Sequence, residues 1–320
     1  MSDSSPLTKL LTTIPSQTGK RIVITGANSG IGYYAALALA RKGAQVVLAC
    51  RDRRKGEAAL NRLLAEAPGA VAEMAILDLA SFTSIRSFAE HELSRNQPVG
   101  VLINNAGVMA PPQRLQTTDG FELQFGTNVL GHFALTGLLL PALQNAAAIH
   151  PEPPRIVTIA SIAHKRGRLN FSDLQSTTNY SPMGAYQQSK LANLMLALEM
   201  ERRLRAKGVN ILSIAAHPGV ANTNLFQTGD RSALENAARK LLGHLIGLFL
   251  NTDADGALPT IYAAASPNAT GGGYYGPQEF QEMRGSEVGP AQIASHAQDA
   301  AASSHLWTVC EELTQIRYLD

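Results

Sequence analysis

Tyr186 and Lys190 stand four residues apart in AYQQSK (185–190), and the surrounding pattern predicts a helix, so the two side chains share one face. A phenol beside an ammonium is a general acid/base with its tuning cation. A free phenol has a pKa of about 10, too high for efficient proton transfer near neutrality, and a neighbouring positive charge stabilises the phenolate. The same spacing arises by chance as an ordinary surface pair, so alone it decides nothing. A second feature lies near the N-terminus. TGANSGIG (25–32) places Gly26, Gly30 and Gly32 directly after a β-branched run and directly before a helical pattern. Such a turn lets backbone N–H groups and the positive end of a helix dipole approach a pyrophosphate. Its spacing is G-x-x-x-G-x-G rather than the commoner G-x-G-x-x-G, and a purely structural turn is the alternative.

The residue after the second apolar run bears on the choice of dinucleotide. AQVVLAC ends at Cys50, and Arg51 follows. An acidic residue there would bind a ribose 2′-hydroxyl, whereas a guanidinium suits a 2′-phosphate. Arg51 therefore favours NADP(H). Asp52, two positions beyond the strand end, leaves NAD(H) open, and a solvated loop charge is the bland reading of Arg51.

These groups need a frame, and six short runs supply it: RIVITG (21–26), AQVVLAC (44–50), AEMAILDL (72–79), VGVLINNAG (99–107), RIVTIAS (155–161) and VNILSIAAHPG (209–219). They alternate with longer segments of helical period such as TSIRSFAEHELSR. The runs are almost continuously apolar, which implies strands covered on both faces. The fold class is therefore α/β: a doubly wound parallel sheet in three α/β/α layers, with right-handed crossovers. No repeat and no Pro/Gly/Ser linker divides the chain, so residues 1–320 read as a single domain. Residues 1–19 form an N-terminal lead and 268–320 a variable C-terminal part. In the latter, 271–285 reads as a loop and 291–314 as a terminal helix.

Of 320 residues, 45% are hydrophobic and 16% charged, the profile of a soluble protein with a large core. Basic minus acidic residues, 27 minus 25, give a formal charge of +2, so no basic field points to nucleic acid or an anionic membrane. Cys50 and Cys310 are too far apart in sequence for a disulfide framework or zinc-ligand spacing. With no H-E-x-x-H among the eight histidines, no metal site is expected. His164 and His217 flank the expected site and read as packing or hydrogen-bonding residues. FALTGLLLPAL (133–143) and LLGHLIGLFL (241–250) fall short of the roughly 20 apolar residues that span a bilayer. With no signal-like run at the start, no stable membrane insertion and a cytoplasmic location are expected.

Seven signals occur in one order: TGANSGIG, LDL (77–79), NNAG (104–107), FGTNVLGHF (125–133), VTIAS (157–161), YQQSK (186–190) and HPGVANT (217–223). Together they resemble the short-chain dehydrogenase/reductase family, whose fold is the Rossmann type. ACRD, TTDGFELQFGTNVLGHF and RGRLNFSDLQ (166–175), which fills the long interval before Tyr186, are similar to its retinol-dehydrogenase-like branch.

The resemblance implies a catalytic tetrad of Asn128, Ser161, Tyr186 and Lys190. Tyr186 would be the general acid/base. Ser161 would hydrogen-bond the reacting oxygen. Lys190 would lower the Tyr186 pKa and hold the nicotinamide ribose. Asn128 would interrupt a helix and bind a water. Cofactor contacts carried over are Gly26, Asn28, Ser29, Gly30, Ile31, Gly32, Arg51, Asp78, Leu79, Asn105, Ala106, Gly107, Tyr186, Lys190, Pro218, Gly219, Val220 and Thr223. Two positions depart from the pattern: Ala160 replaces a serine before Ser161, and Ser29 stands where NADP-preferring members often carry a basic residue.

The implied activity is hydride transfer between NADP(H) and an apolar aldehyde, ketone or secondary alcohol. The region 221–255 would be the substrate loop, with Leu241 to Leu250 as a cap, a plain core helix or a weakly membrane-touching element, and Tyr274, Tyr275 and Phe280 near the pocket rim. A homo-oligomer formed through the helix faces that begin at Asn128 and Tyr186 is expected from the resemblance alone. An NADP(H)-binding regulatory or scaffold protein without turnover is the competing reading. C=C reduction is a third, for which cysteines near the site would have spoken.

Overall fold

The computed structural model describes residues 5–220 and 251–320. Thr223 and the apolar run 241–250 therefore lie outside the described residues, as does most of the expected substrate loop. In chain order the first elements are α1 (Pro6–Thr13), β1 (Arg21–Thr25), α2 (Gly30–Arg41), β2 (Gln45–Cys50), α3 (Arg53–Glu66), β3 (Val71–Ile76) and α4 (Phe82–Ser94). β4 (Val99–Asn104), α5 (Leu123–Phe125), a π-helical turn at Gly126–Leu130, α6 (Gly131–Ile149), β5 (Arg155–Ile159), a 3₁₀ turn at Ile162–Arg166, α7 (Pro182–Ala206) and β6 (Leu212–Ala216) follow. The last are α8 (Asp253–Gly256), α9 (Leu258–Ala265), β7 (Tyr274–Glu279), β8 (Arg284–Pro290) and α10 (Ala300–Thr314).

The strands form one sheet in the order β3-β2-β1-β4-β5-β6-β7-β8. All neighbours pair in parallel except β7 and β8. Connections run outward from β1 in one direction and from β4 in the other, so the strand order reverses between these two. A crevice outside the carboxyl ends of strands at such a switch point is where open α/β sheets bind ligands. Every residue of β1 and β4 is buried, which is why both read as unbroken apolar runs; β3, at the sheet edge, is only partly covered.

Alternation along β1 sorts the two cores. Val23 belongs to the core that also holds Leu130, Phe133, Leu194 and Trp307, on the face carrying α4, α6, α7 and α10. Ile22 and Ile24 pack with Leu37, Leu63 and Ile261 on the face carrying α2, α3 and α9. The run Leu123–Ile149 is long and apolar enough to cross a membrane, but 83% of its apolar window is buried inside the protein, so that surface already serves the core.

The C-terminal part differs from its sequence reading. The stretch 271–285 is not a loop: Tyr274–Glu279 and Arg284–Pro290 form a hairpin, with β7 added in parallel to β6. Tertiary pairing here overrides a Gly/Pro-rich sequence with no clean alternation. The terminal helix is also shorter than 291–314, because Asp299 accepts a hydrogen bond from Ala302 N and starts it at Ala300. α10 lies across α6 and α7, where Phe133, Trp307 and Tyr318 meet ring to ring at 4.8–4.9 Å.

Candidate active site

The turn after β1 is built for a close ligand. Gly26 and Gly30 have φ of +66° and +57°, a region that costs a side-chain-bearing residue dearly. A Cβ on Gly32 would lie 2.5 Å from Asn105 Nδ2 and 2.7 Å from Gly26 O. Asp52, Ser81, Ser181 and Asp299 each cap their helices through the side chain, but Ser29 at the N-cap of α2 makes no such bond. The first turn of α2 therefore has no side-chain cap and carries no acidic residue at the switch point. This cradle fits a dinucleotide pyrophosphate. Burial pushes the Cys50 thiol up to about 12, opposed by the neighbouring Ala27 and Asn28 N–H groups, so beneath this turn it is an inert group.

Asn105 is the tie between β1 and β4. Its Nδ2 donates to Thr25 O at 2.8 Å, and both Asn105 N and Ala106 N donate to Thr25 Oγ1 at 2.9 Å. The bland strand-tying reading of Asn105 therefore describes its contacts, and the same contacts shape the cradle wall. Thr25 in turn meets His132 Nε2 at 2.9 Å, and His132 Nδ1 meets Asn128 O at 3.0 Å. Burial lowers the His132 pKa to about 4, so the ring is neutral. The carbonyl at Asn128 fixes Nδ1 as the donor, leaving Nε2 to accept from Thr25. Sequence reading passed over His132; its place four residues after Asn128 was the available signal.

Asn128 sits inside the π-helical turn, the helix interruption expected of it. Its Oδ1 accepts from Val108 N at 2.8 Å, and its Nδ2 donates to Val108 O and Ser189 Oγ at 3.0 Å each. Ser189 donates onward to Tyr186 O at 2.8 Å. A Cβ on Gly107 would meet Asn128 Oδ1 at 3.2 Å and Lys190 Nζ at 3.8 Å, so this wall must be bare.

α7 brings Tyr186 and Lys190 to one buried face, where Lys190 Nζ is 5.9 Å from the Tyr186 ring centre. Lys190 donates to Ile159 O, at the end of β5, at 2.8 Å. Ser161, two residues further, is near enough to the Tyr186 hydroxyl to favour its ionised form. Ser161 Oγ accepts from Ala163 N at 3.1 Å, which orients it as the cap of its 3₁₀ turn. Burial, opposed by Ser161, pushes Tyr186 up to about 12, while burial pulls Lys190 down to about 8. The sequence argument had Lys190, together with the positive nicotinamide, lowering the tyrosine; in the protein alone burial dominates, and the influence that opposes it comes from Ser161. Asn128, Ser161, Tyr186 and Lys190 are thus brought together at the carboxyl edge of β4 and β5.

Arg51 lies apart, exposed at the end of β2, whereas Asp52 is engaged as the cap of α3, accepting from Lys55 N at 3.0 Å. Asp78 N donates to Ser84 Oγ at 2.9 Å, and Leu79 is buried against Gly131. Pro218, Gly219 and Val220 follow β6 and are held from outside the expected motif: Asn251 Nδ2 donates to Pro218 O at 3.0 Å, and Met283 O accepts from Val220 N at 2.7 Å. Tyr274 is buried between His164 and His217, with ring centres 5.4 and 5.1 Å away. Tyr275 belongs to the opposite core and Phe280 is exposed, so neither is joined to Tyr274 in a common rim.

A parallel sheet with a glycine cradle at its switch point, and a buried phenol, hydroxyl and amine beside it, defines a dinucleotide-binding protein equipped for proton transfer. Residues 20–233 match the family model described as short chain dehydrogenase. Retinol dehydrogenase 14 of Mus musculus is 39% identical over 310 residues, covering 93% of this chain and 86% of that protein. Polyprenol dehydrogenase of Homo sapiens is 40% identical over 262 residues, covering 82% and 77%. Among solved structures, an uncharacterized protein from Mycobacterium paratuberculosis superposes with a TM-score of 0.77 at 39% identity, over 96% of this chain and 98% of that one. The 3-ketoacyl-(acyl-carrier-protein) reductase of Brucella melitensis, solved with NADH, gives 0.60 at 25% identity over 81% and 96%. The chain belongs to the short-chain dehydrogenase/reductase family of oxidoreductases, in its retinol-dehydrogenase-like branch.

Proposed function

We propose that the protein is an NADP(H)-dependent oxidoreductase acting between the carbonyl and alcohol forms of an apolar aldehyde, ketone or secondary alcohol. One observation carries the reading: Tyr186, Ser161 and Lys190 are buried together, with Lys190 Nζ 5.9 Å from the Tyr186 ring centre. A nicotinamide dinucleotide bound along the cradle supplies or accepts the hydride. Ser161 holds the substrate oxygen, and Tyr186 gives it a proton in reduction and takes one in oxidation. Lys190, fixed by Ile159 O, offers its remaining N–H groups to the nicotinamide ribose and its charge to the phenolate. Asn128 braces this arrangement through Val108 and Ser189. The names of the relatives, retinol and polyprenol dehydrogenases, support an apolar alcohol as one partner of the reaction. A cytoplasmic location belongs to the same proposal.

The preference for NADP(H) rests on the division of labour after β2. Asp52 caps α3, and that leaves Arg51 as the side chain offered to the adenosine ribose. Arg51→Ala is expected to raise KM for NADPH roughly tenfold or more, with little change for NADH, since one charge-assisted phosphate contact is worth about 1.5–3 kcal/mol. Equal effects on both cofactors would remove Arg51 from this role. Turnover of a panel of aldehydes and ketones with each cofactor tests the function itself; tight dinucleotide binding with no turnover would favour the regulatory reading.

The titrating groups give a pH signature. Tyr186, pushed up to about 12, keeps its proton well above neutrality, whereas Lys190, pulled down to about 8, is charged at neutral pH and loses its proton as pH rises through about 8. kcat/KM for carbonyl reduction is therefore level near neutrality and falls about tenfold per pH unit above about 8, as the ammonium becomes neutral. The break disappears from the residual activity of Lys190→Met; a break that persists there belongs to another group.

A further inference from the structure

The tip of the β7–β8 hairpin is strained without help from glycine: Phe280, Gln281 and Glu282 follow one another with φ of +49°, +57° and +66°. Such strain persists only where surroundings over-determine it, and it gathers at functional sites. Here the surroundings are the candidate site. Glu282, 9% exposed, accepts from Lys165 Nζ at 2.8 Å and from Gln292 N at 2.6 Å. Lys165 lies on the 3₁₀ turn that Ser161 caps. The next residue, Met283, takes the Val220 N–H with its carbonyl, and a Cβ on Gly219 would lie 2.3 Å from that oxygen. Gly285 N then donates to Asn251 Oδ1 at 3.3 Å, while Asn251 also bonds Pro218 O. His217, fully buried, accepts from Gly219 N at 3.2 Å, and its Nε2 lies 3.8 Å from the Glu282 carboxylate.

We infer that Glu282 is a positioning residue: it locks the strained hairpin tip to the Ser161 turn through Lys165, and so presses the Pro218–Gly219–Val220 turn into register against Ser161. The hairpin thereby becomes part of the active-site wall on the nicotinamide side, remote from the glycine cradle. This rests on the dinucleotide reading above. It adds a separate consequence: loss of Glu282 weakens the grip on the nicotinamide half of the cofactor and spares the adenosine half.

The full chain is titrated with NADPH and with 2′-phospho-ADP-ribose, which lacks the nicotinamide, by quenching of protein fluorescence. Glu282→Ala is expected to weaken NADPH binding roughly tenfold and to leave 2′-phospho-ADP-ribose unchanged. Glu282→Gln, which keeps an acceptor for Gln292 N and Lys165, recovers most of the loss. Lys165→Met reproduces the Glu282→Ala effect, and the double variant adds little further, because both act through one contact. Equal weakening of both ligands, or a fall in Tm with unchanged NADPH affinity, assigns Glu282 a merely structural role and overturns the inference. Wild-type protein that binds neither ligand overturns the dinucleotide reading together with it, whereas wild-type binding of both without turnover leaves the comparison fully readable.

Discussion

Tyr186→Phe lowers kcat by about 10²–10⁴-fold, the usual span for removing a general acid/base, and leaves dinucleotide affinity essentially as it was. The ring fills the same buried space, so packing survives. Only the hydroxyl is lost, and with it the proton that the substrate oxygen needs. Burial sharpens the effect, because water has little access to replace the missing group. The expected signature is a drop in kcat with KM for both cofactor and substrate little altered, the pattern of an interaction made chiefly in the transition state. Steady-state kinetics of wild type and variant, with NADPH binding measured alongside, check it. A variant that turns over at the wild-type rate removes Tyr186 from the chemistry.

Gly32→Val is expected to be as damaging by a different route. The added Cβ falls on Asn105 Nδ2 and on Gly26 O, one the tie between β1 and β4 and the other the backbone of the cradle. Neither is the free end of a flexible side chain, so the turn itself must shift. A displacement of about 1 Å at a positioning element can cost roughly a hundredfold, and here it appears as weaker dinucleotide binding. Fluorescence titration reads the affinity, and thermal unfolding reads the accompanying loss of the β1–β4 tie. Unaltered NADPH affinity would place the pyrophosphate elsewhere than at α2.

The central strands were legible because β1 and β4 are covered on both faces and leave unbroken apolar runs. The Gly-rich turn and the Tyr186/Lys190 pair were legible because each is local, a few residues whose spacing is its geometry. The hairpin at 274–290 was not, since its strands are fixed by partners far away in sequence, β6 and the turn at Pro218, and not by any pattern of their own. Glu282 and Asn251 escaped for the same reason: each looks like an ordinary polar residue until the fold delivers its partners. His132 lay in plain view within FGTNVLGHF, yet only the π-turn shows its ring joining Thr25 to Asn128. The oligomer expectation came from resemblance, since no local pattern in the sequence marks a contact between copies. The expected lowering of the Tyr186 pKa was not legible as it stands in the protein, because spacing reveals a neighbouring cation but not the burial that pushes the phenol up.

The central claim is that this site moves a hydride to a carbonyl carbon while Tyr186 supplies the proton. Its most direct test is a label transfer: wild type and Tyr186→Phe are each incubated with NADPH deuterated at the reactive nicotinamide carbon and a panel of apolar aldehydes and ketones. Mass spectrometry then follows the alcohols formed. Wild type is expected to give alcohol carrying one deuterium on the former carbonyl carbon, and Tyr186→Phe almost none in the same time. Tight binding of NADPH by wild type with no deuterium in any product, or equal transfer by both proteins, would contradict the account.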